Sequence, residues 1–309
     1  MNIKKPIKII GEILSIVAVM LIIRKLYLMK INILSNIYTL GILFISVCVF
    51  LCAISIFASF IPWAQMLFVT TGKCIPSWKL IIVCVKANVY KYIPGNIFQY
   101  VGKNELAIDE HLRQRDVASA TIMDILIMLI VSIITAFLFL RKSFFIVLFN
   151  YTNKYMLLLL SILLCCSIII IYRVKYVNEL ISKLFHHPKN LIISIIYYII
   201  QNIYISSIYL ALIAKFYNGT QPLFSLSPYI YGACIISGII GFLTPGVPGG
   251  IGIREAIMIY ITNGIIEEST IIPAVLIFRV ISISSDLLSY ILIRLTLLLK
   301  AQKSHTKRV

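Results

Sequence analysis

Long apolar runs recur along the chain, separated by short polar and basic links. An apolar run of about 17–25 residues is long enough to cross roughly 30 Å of hydrocarbon as a helix. The pattern predicts an all-α polytopic integral membrane protein with about eight transmembrane helices, in a single transmembrane domain over residues 1–309. The clearest predicted spans are residues 9–23, 37–61, 117–140, 155–172, 191–214, 228–243 and 271–299.

Residues 80–107 interrupt this pattern. Only about a dozen residues precede Pro94 and Gly95, and Lys86, Asn88 and Lys91 already break the apolar run. Such a segment is too short and too polar for an ordinary span. Broken helix at membrane depth is tolerated where protein buries it or where it lines a water-filled cavity. The sequence therefore predicts a re-entrant or broken segment here.

Residues 237–257 form a second break. Six of the fourteen glycines lie between Gly238 and Gly252, together with Pro245 and Pro248. Proline has no N–H and clashes with the preceding turn, so this stretch cannot continue one straight helix. It is followed by an adjacent cation and anion and by a predicted short helix at 250–263.

Composition excludes several classes of protein. Hydrophobic residues make up 61% of the chain and charged residues 13%, whereas soluble domains are nearer 45–50% and about 25%. The links between the predicted spans leave no room for a soluble catalytic domain. The net charge of +17 comes from basic residues in the links, which favours contact with anionic headgroups over nucleic-acid binding. The cysteines show no metal-binding spacing, and no cofactor is expected.

The distribution of Lys and Arg predicts the orientation. The link 173–189 and the tail 300–309 carry four basic residues each, whereas 215–227 carries one and 263–270 none. The first two should be cytoplasmic, with both termini inside a cell membrane. The link 24–30, with three basic residues, counts against this scheme. The same scheme places both breaks near one face, and Pro62 is expected to end the second span.

The two breaks share a motif. The first reads Pro-Gly, six residues and Gly-Lys-Asn-Glu, and the second reads Pro-Gly, five residues and Gly-Ile-Arg-Glu. Interrupted segments in two halves of a membrane protein point to a transport site. Glycines let the backbone approach a ligand, and a following helix presents free N–H groups to an anion. The predicted headgroup site comprises Lys103, Glu105, Gly246, Gly249, Gly250, Gly252, Arg254 and Glu255. The alternative is tight helix packing, with each acid neutralising its basic neighbour.

Polar residues inside the other spans suggest a path. Asp124 interrupts one span, and Arg279, Ser282, Asp286 and Ser289 share one face of the last helix. Charges at membrane depth should face the bundle interior or a wet cavity. Asp124, Arg279 and Asp286 therefore either line a transport path or form a structural pair, Asp124 or Asp286 with Arg279.

Two further polar residues, Gln201 and Asn202, lie in the fifth predicted span. They are expected to make hydrogen bonds between helices.

The segments KYIPGNIFQYVGKNELA and TPGVPGGIGIREA resemble the transmembrane region of lysylphosphatidylglycerol synthetases and the membrane proteins built from that region alone. The second segment matches the family motif closely, at Pro245, Pro248, Gly249, Gly250, Gly252, Arg254 and Glu255. The first matches loosely, at Pro94, Gly95, Gly102 and Glu105, with Gln99 and Lys103–Asn104 departing from the family pattern.

The resemblance implies a stand-alone member that lacks the soluble aminoacyl-transfer domain. Its implied function is that of a lipid flippase or scramblase for an anionic phospholipid or a polyprenyl-phosphate-linked lipid. The partners would be membrane lipids and lipid- or glycan-synthesis enzymes. Two alternatives stay open: a polytopic polyprenyl-dependent glycosyltransferase, and a non-transporting subunit of a lipid or polysaccharide synthesis machine. No catalytic motif is present, so an enzyme is not expected.

Overall fold

The structure is a computed structural model that describes residues 40–92, 99, 102–103, 112–151, 175–219, 221–244, 250 and 252–306. This part of the chain is helical and contains no strand. Its helices, numbered here in chain order, are α1 Ile42–Ala58, α2 Phe60–Thr71, α3 Ser77–Tyr90, α4 Gln114–Tyr151, α5 Lys175–His186, α6 Pro188–Phe216, α7 Leu223–Leu243, α8 Ile253–Thr262 and α9 Glu268–Thr306.

Five helical stretches in the described ranges are long and apolar enough to cross a membrane. They are Ile42–Thr71, Gln114–Leu140, Pro188–Phe216, Leu223–Leu243 and Glu268–Leu299. The all-α class and a multi-pass pattern of apolar helices therefore agree with the sequence. The count of about eight spans stays a prediction, because the spans predicted at 9–23 and 155–172 lie outside the described residues.

The prediction that Pro62 ends the second span is wrong. Only Ser59 separates α1 from α2, and Pro62 is the third residue of α2. The first N–H groups of a helix have no partner within it, so proline is tolerated there. The helix ends instead at Gly72, whose φ of 68° is left-handed and whose N–H donates to the Phe68 carbonyl at 2.8 Å.

The bundle has two separate apolar clusters, which define its two halves. Trp63, Leu80 and Val117 lie in the cluster of the lower half, and Leu212, Ile230 and Ile271 lie in that of the upper half. Helix α6 passes through both, contributing Tyr198 to the lower and Leu212 to the upper. At 1.5 Å per residue these two positions are about 21 Å apart along the helix.

Helix α3 enters from the lower half and stops partway. Leu80 and Cys84 belong to the lower cluster, and fourteen residues extend only about 21 Å. Gly102 lies against α3, since a Cβ there would be 2.8 Å from the Tyr90 ring. Leu112 packs against the lower cluster. Leu80 and Leu112, on either side of the first break, therefore both lie in the lower half.

Helices α7 and α8 enter the bundle from the opposite side, the upper half. They run antiparallel: near the upper end the Tyr229 hydroxyl donates to the Ile261 carbonyl, and near the tip Gly241 lies against the Arg254 side chain. Helix α8 has ten residues, or about 15 Å. The two breaks therefore enter from opposite halves. Counting Lys and Arg in the links had placed both breaks near one face. Such counting contains no information about how far into the bundle a broken segment reaches.

The basic link predicted at 173–189 contains α5, an amphipathic helix. Leu180 and Leu184 pack against the lower cluster, and Lys183 pairs with Glu179 at 3.2 Å across one turn. The tail predicted to be cytoplasmic at 300–309 continues α9 as helix as far as Thr306.

Candidate functional site

Charged side chains meet near the middle of the bundle, between the two apolar clusters. They come from both broken segments and from two long helices. The described members of this charged layer are Lys91, Lys103, Asp124, Arg254, Glu255, Arg279 and Asp286. Four are cations and three are anions, so the layer carries a net positive charge.

Asp286 on α9 holds the tip of α3. Its carboxylate is 2% exposed and lies 2.8 Å from Lys91 Nζ. Asn88 Nδ2 and the Tyr92 hydroxyl each donate to it at 2.5 Å. Burying a carboxylate is costly unless it is paired and hydrogen-bonded. These three donors meet that requirement, so this part of the layer is locally satisfied.

Asp124 on α4 holds the returning part of the same segment. Lys103 Nζ lies 3.2 Å from its carboxylate, and the Tyr198 hydroxyl donates to it at 2.6 Å. Lys103 also lies 4.8 Å from the centre of the Trp63 ring, a favourable cation–π distance. Trp63 Nε1 donates in turn to the Thr121 hydroxyl at 3.1 Å.

Glu255 on α8 joins the second broken segment to α9. One carboxylate oxygen lies 3.4 Å from Arg279 Nε. The other accepts the Gly252 N–H at 2.6 Å, which caps the start of α8. Gly252 has a φ of 89°, a conformation that favours glycine. The Glu255 carboxylate is thus occupied by its own helix end and by Arg279.

Arg254, the neighbouring residue, lies over the crossing of two glycine-containing segments. A side chain at Gly241 would overlap Arg254 Cγ and lie 2.8 Å from its Nε. Gly250, with a φ of 66°, lies so close that its Cβ would be 2.5 Å from the Gly241 carbonyl oxygen. Arg254 Nε is buried without a hydrogen-bond partner in the described part of the chain. The two glycines therefore leave the space that the Arg254 side chain occupies.

A two-lobed cavity runs beside this layer. The lower lobe, about 180 Å³, is lined by Lys103, Asp124 and Gln99. The upper lobe, also about 180 Å³, is lined by Arg254, Ser132 and Asn202. The lobes share four wall residues, Met128, Tyr198, Gln201 and Phe242. The first broken segment therefore reaches one lobe and the second broken segment reaches the other.

Most predicted site residues that the structure describes lie in or beside this layer. Lys103 and Asp124 form a pair, Arg254 lines the cavity, and Gly250 and Gly252 shape the start of α8. Glu105, Gly246 and Gly249 lie outside the described residues, so their assignment stays a prediction.

The ion pairs differ from the structural pairs suggested by the sequence. Arg279 pairs with Glu255, whereas the sequence suggested Asp124 or Asp286. Those two acids are engaged by Lys103 and Lys91. Helix periodicity identifies residues that share a face, but it contains no information about which half-helix reaches that face.

Several contributors were not predicted as site residues. Lys91 and Asn88 were noted only as interruptions of an apolar run, and Tyr92, Tyr198 and Gly241 were not singled out. The sequence could have indicated Lys91 and Asn88, because both are polar residues that lie shortly before a Pro-Gly break.

The hydrogen bond expected of Asn202 is confirmed, because its Nδ2 lies 3.1 Å from the Ser132 hydroxyl on α4.

Among the described residues no group of three or more His, Cys, Asp and Glu side chains is arranged to hold a metal ion.

A scan against protein-family models gives no match to this chain. A search of curated proteins likewise finds no similar protein. The resemblance to the lysylphosphatidylglycerol synthetase membrane region therefore rests on the motif residues alone.

Proposed function

We propose that this protein is an integral membrane flippase or scramblase for an anionic lipid, either a phospholipid or a polyprenyl-phosphate-linked lipid. The observation that carries the proposal is the Arg254 side chain, which lines a cavity beside the charged layer and whose buried Nε has no hydrogen-bond partner in the described part of the chain. The proposed location is the cell membrane, with both termini in the cytoplasm.

The charge balance supports an anionic substrate. A buried charge without a partner is strongly unfavourable, and the described layer contains one more cation than anions. A phosphate group would supply the missing negative charge. The bundle exterior suits the acyl chains, since large apolar side chains such as Leu43, Phe50 and Leu138 are exposed there.

The two half-helix tips support movement between leaflets. One reaches the layer from the lower half and pairs with Asp286, and the other reaches it from the upper half and pairs with Arg279. These contact positions are seven residues apart on α9, about 10 Å along the helix. Displacement of either tip would open the same layer toward one side, which is the requirement for alternating access.

The motif resemblance supports the same function, because the related membrane region handles lipids. A flippase requires a charged path for the headgroup, whereas the alternative, a glycosyltransferase, requires a catalytic base. Sugar transfer from a polyprenyl-phosphate sugar by the purified protein would favour that alternative.

The proposal is tested with purified protein in liposomes that contain fluorescent lipids. Dithionite reduces only the outward-facing label, so the rate of further quenching measures lipid movement between leaflets. We expect protein-dependent movement of anionic lipids, reduced about tenfold or more by Arg254→Ala because a charge-assisted hydrogen bond is lost. Arg294→Ala, on α9 beside Tyr290, is the control. Rates equal to those of empty liposomes for phosphatidylglycerol, phosphatidylethanolamine and undecaprenyl phosphate would reject the function.

A further inference from the structure

The upper lobe of the cavity contains two polar side chains whose hydrogen-bonding capacity is unused. Arg254 Nε is buried without a partner, and the Gln201 carboxamide makes no hydrogen bond within the described part of the chain. Both line the same lobe. We infer that this lobe binds a phosphate that carries a hydroxylated substituent, with Arg254 contacting the phosphate and Gln201 contacting a hydroxyl. The inference rests on the proposed function for the lipid nature of the substrate.

The charges around the upper lobe favour the phosphate. Arg254 is its charged wall residue, and the described lining contains no carboxylate. The adjacent Glu255 carboxylate is held by Arg279 and by the Gly252 N–H. Arginine presents several N–H donors in a planar fork that matches phosphate oxygens. An anion in the lobe would therefore meet a side chain whose Nε has no hydrogen-bond partner in the described part of the chain.

The other wall groups favour hydroxyls over an ammonium group. The carboxamide of Gln201 accepts and donates hydrogen bonds, as polyol hydroxyls require. The Ser132 and Asn202 side chains also line the lobe, and they form a hydrogen bond of 3.1 Å with each other. An ammonium headgroup would need a free carboxylate, but Asp124 in the adjoining lobe is engaged by Lys103 and Tyr198.

The size of the lobe sets the size of the bound group. Its volume of about 180 Å³ is well above the roughly 10–15 Å³ that one water molecule needs by the same kind of measure. This space admits a phosphate with a short polyol or part of a sugar. The inferred ligand class is thus a glycerol- or sugar-bearing phosphate headgroup, presented by a lipid or by a free phosphate ester.

Binding to the detergent-purified full-length protein tests the inference directly. The probes are dihexanoyl phosphatidylglycerol, dihexanoyl phosphatidylethanolamine, glycerol 1-phosphate and inorganic phosphate, each titrated by isothermal calorimetry. We expect the phosphatidylglycerol to bind about tenfold or more tightly than the phosphatidylethanolamine, because the latter places an ammonium group beside Arg254. Tighter binding of the lipid than of glycerol 1-phosphate identifies a lipid site, and the reverse order identifies a site for soluble phosphate esters.

Three variants separate the two contacts. Arg254→Gln should weaken every phosphate probe by about tenfold to a hundredfold, because a charge-assisted hydrogen bond is worth about 1.5–3 kcal/mol. Gln201→Leu should reduce the preference for phosphatidylglycerol while leaving phosphatidylethanolamine binding unchanged. Arg294→Gln, which removes a charge outside the cavity, should bind like the wild type. A variant counts as folded if its melting temperature lies within a few degrees of that of the wild type. If Arg254→Gln does not meet this criterion, Arg254→Lys, which keeps the positive charge, replaces it in the titrations.

Two results would overturn the inference: equal affinity for the two lipids, or wild-type affinity in Arg254→Gln. Its failure is separable from that of the proposed function. Selective binding without lipid movement in liposomes would reject the flippase and retain the site. Lipid movement that is equally fast for both headgroups, together with equal binding, would retain the flippase and reject the site.

Discussion

The tips of the two half-helices differ in how their charges are compensated. At the α3 tip Lys91 meets Asp286, and the same carboxylate accepts hydrogen bonds from Asn88 and Tyr92. At the α8 tip Glu255 is shared between Arg279 and the helix start, and Arg254 Nε has no hydrogen-bond partner among the described residues. A satisfied network holds an element in place, whereas an unsatisfied cation beside a cavity is suited to bind an anion. The first tip is therefore interpreted as a structural contact and the second as a binding element.

The strongest test of this comparison is Asp286→Ala. It leaves the half-buried Lys91 without its carboxylate partner and removes the acceptor of Asn88 and Tyr92. We expect the free energy of unfolding to fall by about 3–5 kcal/mol, the usual cost of breaking a buried pair. Denaturant titration in detergent measures the change. Lys91→Met combined with Asp286→Leu should recover part of the loss, because both charges are then absent. An unaltered stability in Asp286→Ala would contradict the structural assignment.

A smaller effect is expected for Gly241→Ala. The added methyl group would overlap Arg254, and overpacking of a filled interior costs about 1–3 kcal/mol. The matched control for stability is Gly238→Ala on the same helix, where an added Cβ meets nothing within 4 Å. Lipid movement should also slow in Gly241→Ala because the guanidinium is displaced. The crossing would be unimportant if the two variants had the same unfolding midpoint.

Tyr198→Phe tests the second acidic residue of the layer. It removes the 2.6 Å hydrogen bond to Asp124 but leaves the pair with Lys103. We expect a loss of about 1 kcal/mol in unfolding free energy, typical of one hydrogen bond. The control is Tyr231→Phe, whose hydroxyl meets Ser207 outside the charged layer. A loss as large as that of Asp286→Ala would show that Asp124 depends on Tyr198 more than on Lys103.

The smallest effect on stability should come from Arg254→Gln, although its effect on lipid binding is large. Since the guanidinium Nε has no hydrogen-bond partner in the described ranges, the unfolding free energy should change by less than about 1 kcal/mol, or rise. The measurement is the same denaturant titration, without added lipid. A loss of several kcal/mol would show that Arg254 holds the α8 tip in place, and the distinction between the two tips would then disappear.

Several parts of the fold and the charged layer follow directly from local sequence. Apolar run length predicts long helices, and the two Pro-Gly breaks predict where α3 and α7 stop, since proline and glycine act on the backbone at their own position. The cost of charge among apolar residues selects Asp124, Arg279 and Asp286 as inward-facing. All three are buried.

The pairing of these charges was not predictable in the same way. Arg279 and Asp286 share one face of α9, yet they receive half-helices from opposite halves of the bundle. Gly241 and Gly250 are separate positions along the chain, and a Cβ at either would overlap a neighbour, Arg254 for Gly241 and the Gly241 backbone for Gly250. These pairings and contacts depend on which segments pack against one another. Neither hydropathy nor the charge of the loops contains that information.

The sequence by itself determined that the chain is a set of long apolar helices interrupted at two glycine- and proline-containing breaks. Only the tertiary structure decided that the breaks enter from opposite halves and that, among the described residues, Lys91, Lys103 and Arg279 each form an ion pair with an acid. The physical reason is range. Helix formation and breaking are local to a few residues, whereas compensation of a buried charge depends on side chains brought together from distant parts of the chain.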